Sequence, residues 1–445
     1  MKPGIQRRLT AWGRSSASVS RVWRVEQADD TLAILRAAGP RGAIARGYAR
    51  SYGDVCLNDG GDVLDTRALS GIQSFDRDAG TLSCDAGVSY DAVMRHCLPH
   101  GWMPKVCPGT AFVSMGGAVA NDVHGKNQHR EGSFGDHVDW MDLRTPDGAV
   151  QRVTPTSDVS LFDATVGGIG LTGVIQSLQF RLQRVPSNAM ELTELRMPDL
   201  ETFLHRLRSS HAEYPYVVGW LDALSSGANM GRGILELARP SATGARAPLP
   251  VSVSVPFEFP SFVLNRHSVR AFNEVYFRHI PTAGRVRQIH VNRFLYPLDA
   301  IRNWNRMYGR PGVFQFQCVV PFEHGHRAIA ELLEQIVRSR GASFLAVLKC
   351  MERGGRGLLS FPMPGFTLAL DFPRRDETRA LIERLHDTVL RYGGRIYLAK
   401  DACLSTSHFE AMYPQAERFR AVLRRVDPEG VMQSDMSRRL NLGVR

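Results

Sequence analysis

The sequence predicts an α+β fold in two parts, and three observations carry that prediction. Residues 1–185 alternate short helical and extended segments around two glycine-rich loops. The composition changes after about residue 187. The last third reads β-α-β-β-α-β, the order of a split βαβ sheet. With 445 residues the chain is long enough for two or three domains with ample core.

In the first part, Gly42–Ala45 reads as a short apolar strand and 63–66 (VLDT), 81–87 (TLSCDAG) and 174–182 as further strands. LAILRAAG (32–39) and YDAVMRHCL (90–98) read as helices. In the last third, FQFQCVVP (314–321), SFLAVLKCM (343–351), FTLALDF (366–372) and RIYLAKD (395–401) read as strands. Ile329, Leu332, Leu333, Ile336 and Val337 mark one helix by i, i+3, i+4, i+7, i+8 spacing, and Leu381, Ile382, Leu385 and Val389 mark the other. Between the two parts, 238–264 is rich in proline and small residues and then apolar. It reads as a mobile surface loop or as a lid whose apolar part meets a lipid tail.

Residues 107–127 (CPGTAFVSMGGAVANDVHGKN) look little like core. Pro108-Gly109-Thr110 is a turn exposing N–H groups, and Gly116-Gly117 precedes a short helical segment, so the helix start is a candidate anion seat. A second loop, 47–53, carries Arg50, Ser51 and Tyr52, of which Arg50 can pair with a phosphate. Each alone also fits a plain glycine-rich surface loop. Together, about 60 residues apart, they suit a ligand with a pyrophosphate and a long body, a dinucleotide. Gly168–Gly173 satisfies G-x-G-x-x-G, but the segment before it is helical and the segment after it is strand-like. That is the reverse of the order a Rossmann site needs.

Hydrophobic content of 43% and charged content of 22% place the chain among globular proteins, and no window reaches the roughly 18 apolar residues of a membrane span. Seven cysteines without a C-x-x-C pair argue against metal or disulfide scaffolding and for a reducing, cytoplasmic compartment. The net charge of +11 argues for an anionic partner. No nucleic-acid recognition motif is present. Residues 275–298 contain no acidic residue but include Arg278, His279, Arg285, Arg287, His290 and Arg293. The run reads as a solvated basic face or as a contact for membrane or substrate phosphate, peripheral at the inner face of a membrane.

ARGYARSYGD, VCPGT, GGAVAND-HGKN, GSFGDHV (132–138) and TVGGIGLTGVI (165–175) resemble the PCMH-type flavin domain of the vanillyl-alcohol-oxidase superfamily. Within it, LTAWGR (9–14), WNRMYG (304–309), GGRIYLAKD (393–401), AMYP (411–414), RRVDP (424–428) and SDMSRRL (434–440) are similar to the decaprenylphosphoryl-β-D-ribose 2'-oxidase family, flavin enzymes of arabinan and cell-wall precursor synthesis. The likeness covers nearly the whole chain and is weakest over about 189–290.

The resemblance implies an FAD-binding domain over 1–187, a substrate domain on an antiparallel sheet with helices over 188–394, and a return to the FAD domain over 395–445. It implies non-covalent FAD held by Arg50, Ser51, Tyr52, Gly53, Pro108, Gly109, Thr110, Ser114, Gly116, Gly117, Asn121, His124, Gly125, Ile175 and Tyr397. It places substrate contacts at Tyr52, Lys126, Gln317, Lys349, Thr367 and Lys400, with Lys400 as the essential lysine. His124 matches the histidine that many superfamily members bond to the flavin, although the nearest family does not form that bond. Ala369 stands where mycobacterial members carry cysteine, and Thr367 where they carry asparagine, so cysteine-directed chemistry is not expected and sugar contacts differ.

The implied reaction is oxidation of the 2'-hydroxyl of a polyprenylphosphoryl ribose, with a short-chain dehydrogenase partner completing an epimerisation. The alternatives are oxidation of a soluble alditol, aldonolactone or natural-product alcohol, and a non-catalytic membrane- or nucleic-acid-binding module. Residue chemistry alone leaves a strand-end lysine such as Lys349 or Lys400 as an ordinary solvent-exposed group unless burial lowers its pKa.

Overall fold

The computed structural model describes residues 3–243, 247, 252–260, 262–339, 341 and 344–443. Three sheets organise the chain, with a small parallel pair, Val253–Ser254 and Ile301–Arg302, beside them. The first runs in the spatial order Ile5–Thr10, Ala17–Arg24, Asp62–Asp65, Ala43–Arg46, its outer pair antiparallel and the rest parallel. The C-terminal segment joins it, because Ala43 N donates to Val431 O and Gln433 N to Ala43 O. The second sheet is antiparallel, with the long strand Val174–Arg184 at its centre between Thr81–Asp85 and Val138–Arg144. The helix Val159–Thr165 precedes that strand, so the G-x-G-x-x-G loop does have the reversed order expected from its neighbours.

The third sheet has eight antiparallel strands in two halves. In the later half, Val313–Val320, Ala346–Met351, Gly365–Pro373 and Arg395–Ile396 lie in the spatial order fourth-first-third-second, with helices Gly325–Ser339 and Asp376–Arg391 as the crossovers. This is the split βαβ unit. The earlier half repeats it. Ala189–Met197, Tyr216–Leu221, Gly233–Pro240 and Arg285–His290 take the same order, with helices Leu200–Ser209 and Arg266–Arg278. The two units join edge to edge where Gly219 and Trp220 pair with Leu348 and Val347.

The helices obey the apolar stripe that binary patterning predicts. Gly325–Ser339 buries Ala328, Ile329, Leu332, Leu333 and Ile336, and Asp376–Arg391 buries Leu381, Ile382, Leu385 and Val389. RIYLAKD departs from expectation. Only Arg395–Ile396 is strand; Tyr397 N still donates to Gln317 O, but Lys400 N turns back to Tyr397 O. The chain is leaving the sheet there to reach the first part, where Tyr52 N donates to Ala399 O.

The lid reading of 238–264 falls partly on residues 244–246, 248–251 and 261, which lie outside the described residues. Val263 and Leu264 line the large cavity between the two parts of the chain. The basic run is partly paired within the fold. Arg285 and Arg287 both clamp the buried Glu194, at 2.6 and 2.8 Å, and Arg278 pairs with Glu274. Three of its arginines are thus engaged by two carboxylates of the fold, and the run keeps a net positive charge.

Candidate active site

A cavity of about 810 Å³ lies between the flavin-type part and the eight-stranded sheet. Both glycine loops line it, as do Ile175, Gln317, Lys349, Ala369, Tyr397 and Lys400. Of the residues expected to form the site, the structure brings all but two to its wall. Gly53 does not line it; a Cβ there would lie 1.8 Å from Asp401 O, so Gly53 permits close approach of the C-terminal return. Thr367 is buried behind the wall and accepts from Gln317 Nε2 at 3.4 Å, so it reaches the cavity only through Gln317.

The two loops divide their work differently from expectation. At the helix Met115–Ala120 the first N–H groups are already taken: Met115 N donates to Val88 O, Gly116 N to Ala86 O and Gly117 N to Ser114 Oγ. Gly116 is small because Ala86 passes behind it, 2.8 Å from where a Cβ would stand. This helix start therefore offers wall rather than anion seat. In the loop 47–51, by contrast, no backbone N–H has an acceptor among the described residues. Ala49 sits at φ 53°, a left-handed residue of the kind that lets successive N–H groups form an anion nest, and the loop lines the cavity. Arg50 closes this seat, its guanidinium 4.1 Å from the Trp12 ring centroid and 5.1 Å from that of Phe112, with Nε unpartnered.

The deeper wall is cationic. Lys349 and Lys400 make no hydrogen bond or ion pair with a described residue; Lys400 Nζ rests 4.4 Å from the Tyr52 ring centroid. Burial pushes Lys400 down to about 8, partly opposed by Asp371. Burial, with Lys126 and Lys400 nearby, pushes Lys349 down to about 7. Lys126 is tied down: Nζ donates to Phe294 O at 2.6 Å and reaches Glu236 at 3.4 Å, bridging the two parts of the chain. His124 is held neutral by burial and by Lys349 and Lys400. Its Nε2 lies 3.0 Å from Gln317 Nε2, its Nδ1 is unpartnered, and its ring packs on Phe361 and Tyr397. Tyr397 OH donates to Asn121 O at 2.8 Å, and Asn121 Oδ1 is left without a partner.

Sequence reasoning missed several residues. Ile169, Gly170 and Gly173 of the rejected G-x-G-x-x-G loop line the cavity, with φ of 50°, 81° and 144°. Asp371 is fully buried and raised to about 7 by burial; it accepts from Gln315 Nε2 at 2.6 Å and Tyr308 OH at 3.2 Å. It is the one charge in the apolar FTLALDF strand, which is the signal that marks it in the sequence. Asp299 accepts from Thr110 Oγ1 and Ala111 N, fastening the turn after Pro108 to the second part of the chain.

The residues present fit FAD. A backbone nest with a stacked arginine suits a pyrophosphate, and Asn121 and His124 bring unpartnered polar atoms to an aromatic-lined wall. The comparisons agree. Residues 19–154 match the FAD binding domain family, and 367–440 match the D-arabinono-1,4-lactone oxidase family. The chain is 38% identical to decaprenylphosphoryl-beta-D-ribose oxidase of Mycolicibacterium smegmatis, over 99% of this chain and 98% of that protein. It is 34% identical to an uncharacterized Streptomyces coelicolor protein from the mprA 5' region, over 78% and 97%. Cytokinin dehydrogenase 7 of Oryza sativa is similar over a shorter span, 29% identical across 39% of this chain and 35% of that one. The chain is an FAD-dependent oxidoreductase and belongs to the decaprenylphosphoryl-β-D-ribose oxidase family.

Proposed function

We propose that the enzyme oxidises the 2'-hydroxyl of a polyprenylphosphoryl-β-D-ribose to the 2-keto sugar. The observation that carries this reading is the pair of buried amines, Lys349 and Lys400, opening on one cavity without a carboxylate partner among the described residues. Two buried amines without an ion-pair contact, of which only Lys400 feels the buried Asp371, suit an anionic substrate, and one of them can take a proton. An alditol or lactone supplies no anion for the second amine, so the soluble-alcohol alternative leaves Lys349 unexplained.

Bound FAD supplies the acceptor for the hydride leaving C2'. Lys400, in its neutral fraction, takes the hydroxyl proton as the carbonyl forms; Lys349, whose protonated form an adjacent substrate phosphate favours, holds that phosphate and so orients the ribose. Gln317 couples His124 to the substrate side of the wall. That contact orients the His124 ring, and the family likeness supports flavin bound without a histidyl link. The product ketone is the substrate class of a short-chain dehydrogenase, which would complete the epimerisation. Of the described residues, no helix is long and apolar enough to cross a membrane.

Anaerobic mixing of the FAD-loaded enzyme with a panel of substrates tests the reading. Farnesylphosphoryl-β-D-ribose should bleach the flavin, while ribose 5-phosphate, alditols and aldonolactones should not. Bleaching by an alditol or lactone in preference to the lipid-linked sugar would overturn it.

A further inference from the structure

Among the described residues, eleven large apolar side chains are exposed, and seven of them fall between 253 and 301. They include all three exposed phenylalanines, Phe257, Phe262 and Phe272. Scattered exposed apolar groups need no explanation, but a concentration beside a cavity does.

The repeat in the eight-stranded sheet shows where this surface comes from. Three of the four crossover helices bury four or more residues each. The fourth, Arg266–Arg278, buries only Val269 and Asn273. Its Phe272 and Val275, one turn apart, are 45% and 71% exposed. Phe272 also lines the cavity and packs on Phe344, and Ile301, exposed as well, lines it too. Val253 pairs with Ile301, and Phe259 N donates to Arg306 O, which fixes the 252–260 segment to the same edge. The apolar surface is thus continuous with the cavity wall.

Its charge is one-sided. Glu258 pairs with Arg14, Glu274 with Arg232 and Arg278, and Asp299 accepts from Thr110 and Ala111. Every carboxylate from 252 to 302 is therefore engaged within the fold. Arg266, Arg270 and Arg302 are exposed and have no carboxylate partner among the described residues. Exposed apolar side chains with unpaired arginines on the same helix and beside Ile301 suit an anionic lipid surface, where rings enter the acyl boundary and long guanidinium side chains reach head-group phosphates.

We propose that the exposed apolar surface of Phe257, Phe262, Phe272, Val275 and Ile301, which meets the cavity only through Phe272 and Ile301, docks on an anionic bilayer with the help of Arg266, Arg270 and Arg302. An apolar chain then passes from the bilayer along Phe272 and Ile301 into the cavity without crossing water. This surface adjoins the basic 275–298 run, in which Arg285 and Arg287 are held by Glu194. The route of the chain rests on the proposed lipid-linked substrate; the docking does not.

The test is flotation of the FAD-loaded enzyme with phosphatidylcholine vesicles, with and without phosphatidylglycerol, in the absence of substrate. Wild type should float with the anionic vesicles. Phe257→Ser, Phe262→Ser and Val275→Ser combined should lower the bound fraction at least about tenfold, as expected when inserted side chains are lost. None of the three lines the cavity, so FAD retention and flavin reduction by farnesylphosphoryl-β-D-ribose should stay at wild-type levels. Arg266→Gln with Arg270→Gln should weaken binding about tenfold on anionic vesicles. An enzyme that stays unbound with anionic vesicles, or a triple variant that floats as fully as wild type, overturns the proposal. If farnesylphosphoryl ribose fails to reduce even the wild type while flotation behaves as stated, the substrate reading falls and the docking surface stands.

Discussion

Replacing Lys349 by methionine should weaken the substrate complex and stabilise the resting protein, and the two effects have one cause. A lysine lowered from 10.5 to about 7 carries a folded-state penalty of about 4 kcal/mol at pH 7. The amine faces a cavity that admits water, and screening reduces this to roughly 1–2 kcal/mol. Methionine keeps the length of the side chain and has no charge to desolvate. The sign follows from the depressed folded pKa: the penalty is full below pH 7, shrinks as pH rises, and is gone above about 10.5, where both states are neutral. For 445 residues, 1–2 kcal/mol is a rise in Tm of roughly 1–2 °C near neutral pH, fading at high pH. The same substitution removes a charged contact to the phosphate worth about 1.5–3 kcal/mol, so the apparent Kd should rise about 10- to 150-fold. Thermal melts across pH on the FAD-loaded protein, with Kd from the substrate dependence of flavin reduction, measure both. A variant less stable at every pH, or one with an unchanged Kd, would refute the assignment of Lys349 as a buried cation waiting for an anion.

Three further expectations are independent of that one. The flavin-reduction rate at saturating substrate should rise with pH through about 8, because Lys400 acts in its neutral form and burial sets its pKa there; Lys400→Ala should keep FAD yet lose at least about 10²-fold in that rate, and Lys400→Arg should not restore it. A flat profile with a fast alanine variant would move the proton acceptor elsewhere. Gly53→Ala should cost at least about 2 kcal/mol in denaturant unfolding, since its Cβ meets the Asp401 carbonyl, and an unchanged midpoint would remove Gly53 from the joint between the two parts. Acid precipitation should leave the FAD in the supernatant; flavin mass on the peptide bearing His124 would show a covalent link instead.

The later half of the large sheet was legible because its helices have clean apolar stripes and its strands are short apolar runs bounded by turn residues. The earlier half was not read as its repeat. Its second helix buries only Val269 and Asn273, and a long proline-rich insertion separates its third and fourth strands. RIYLAKD read as strand from composition, whereas tertiary demand for a crossing back to Tyr52 bent it after Ile396. At the site, glycine loops and lysines were visible in sequence, but their division of labour was not. Whether an N–H is free depends on long-range partners such as Ala86 and Val88, which local spacing does not encode. The same holds for Arg285 and Arg287, which share the single carboxylate of Glu194 some 90 positions earlier.

The measurement that bears most directly on the proposed reaction is single-turnover reduction of the enzyme's FAD by farnesylphosphoryl-β-D-ribose, carrying deuterium at C2' or at C3'. Followed without oxygen at the oxidised-flavin absorbance, the C2'-deuterated sugar should reduce the flavin more slowly than the unlabelled one, and the C3'-deuterated sugar at the unlabelled rate. Slowing confined to the C3' label, or no reduction by any of the three, would contradict oxidation at the 2'-hydroxyl.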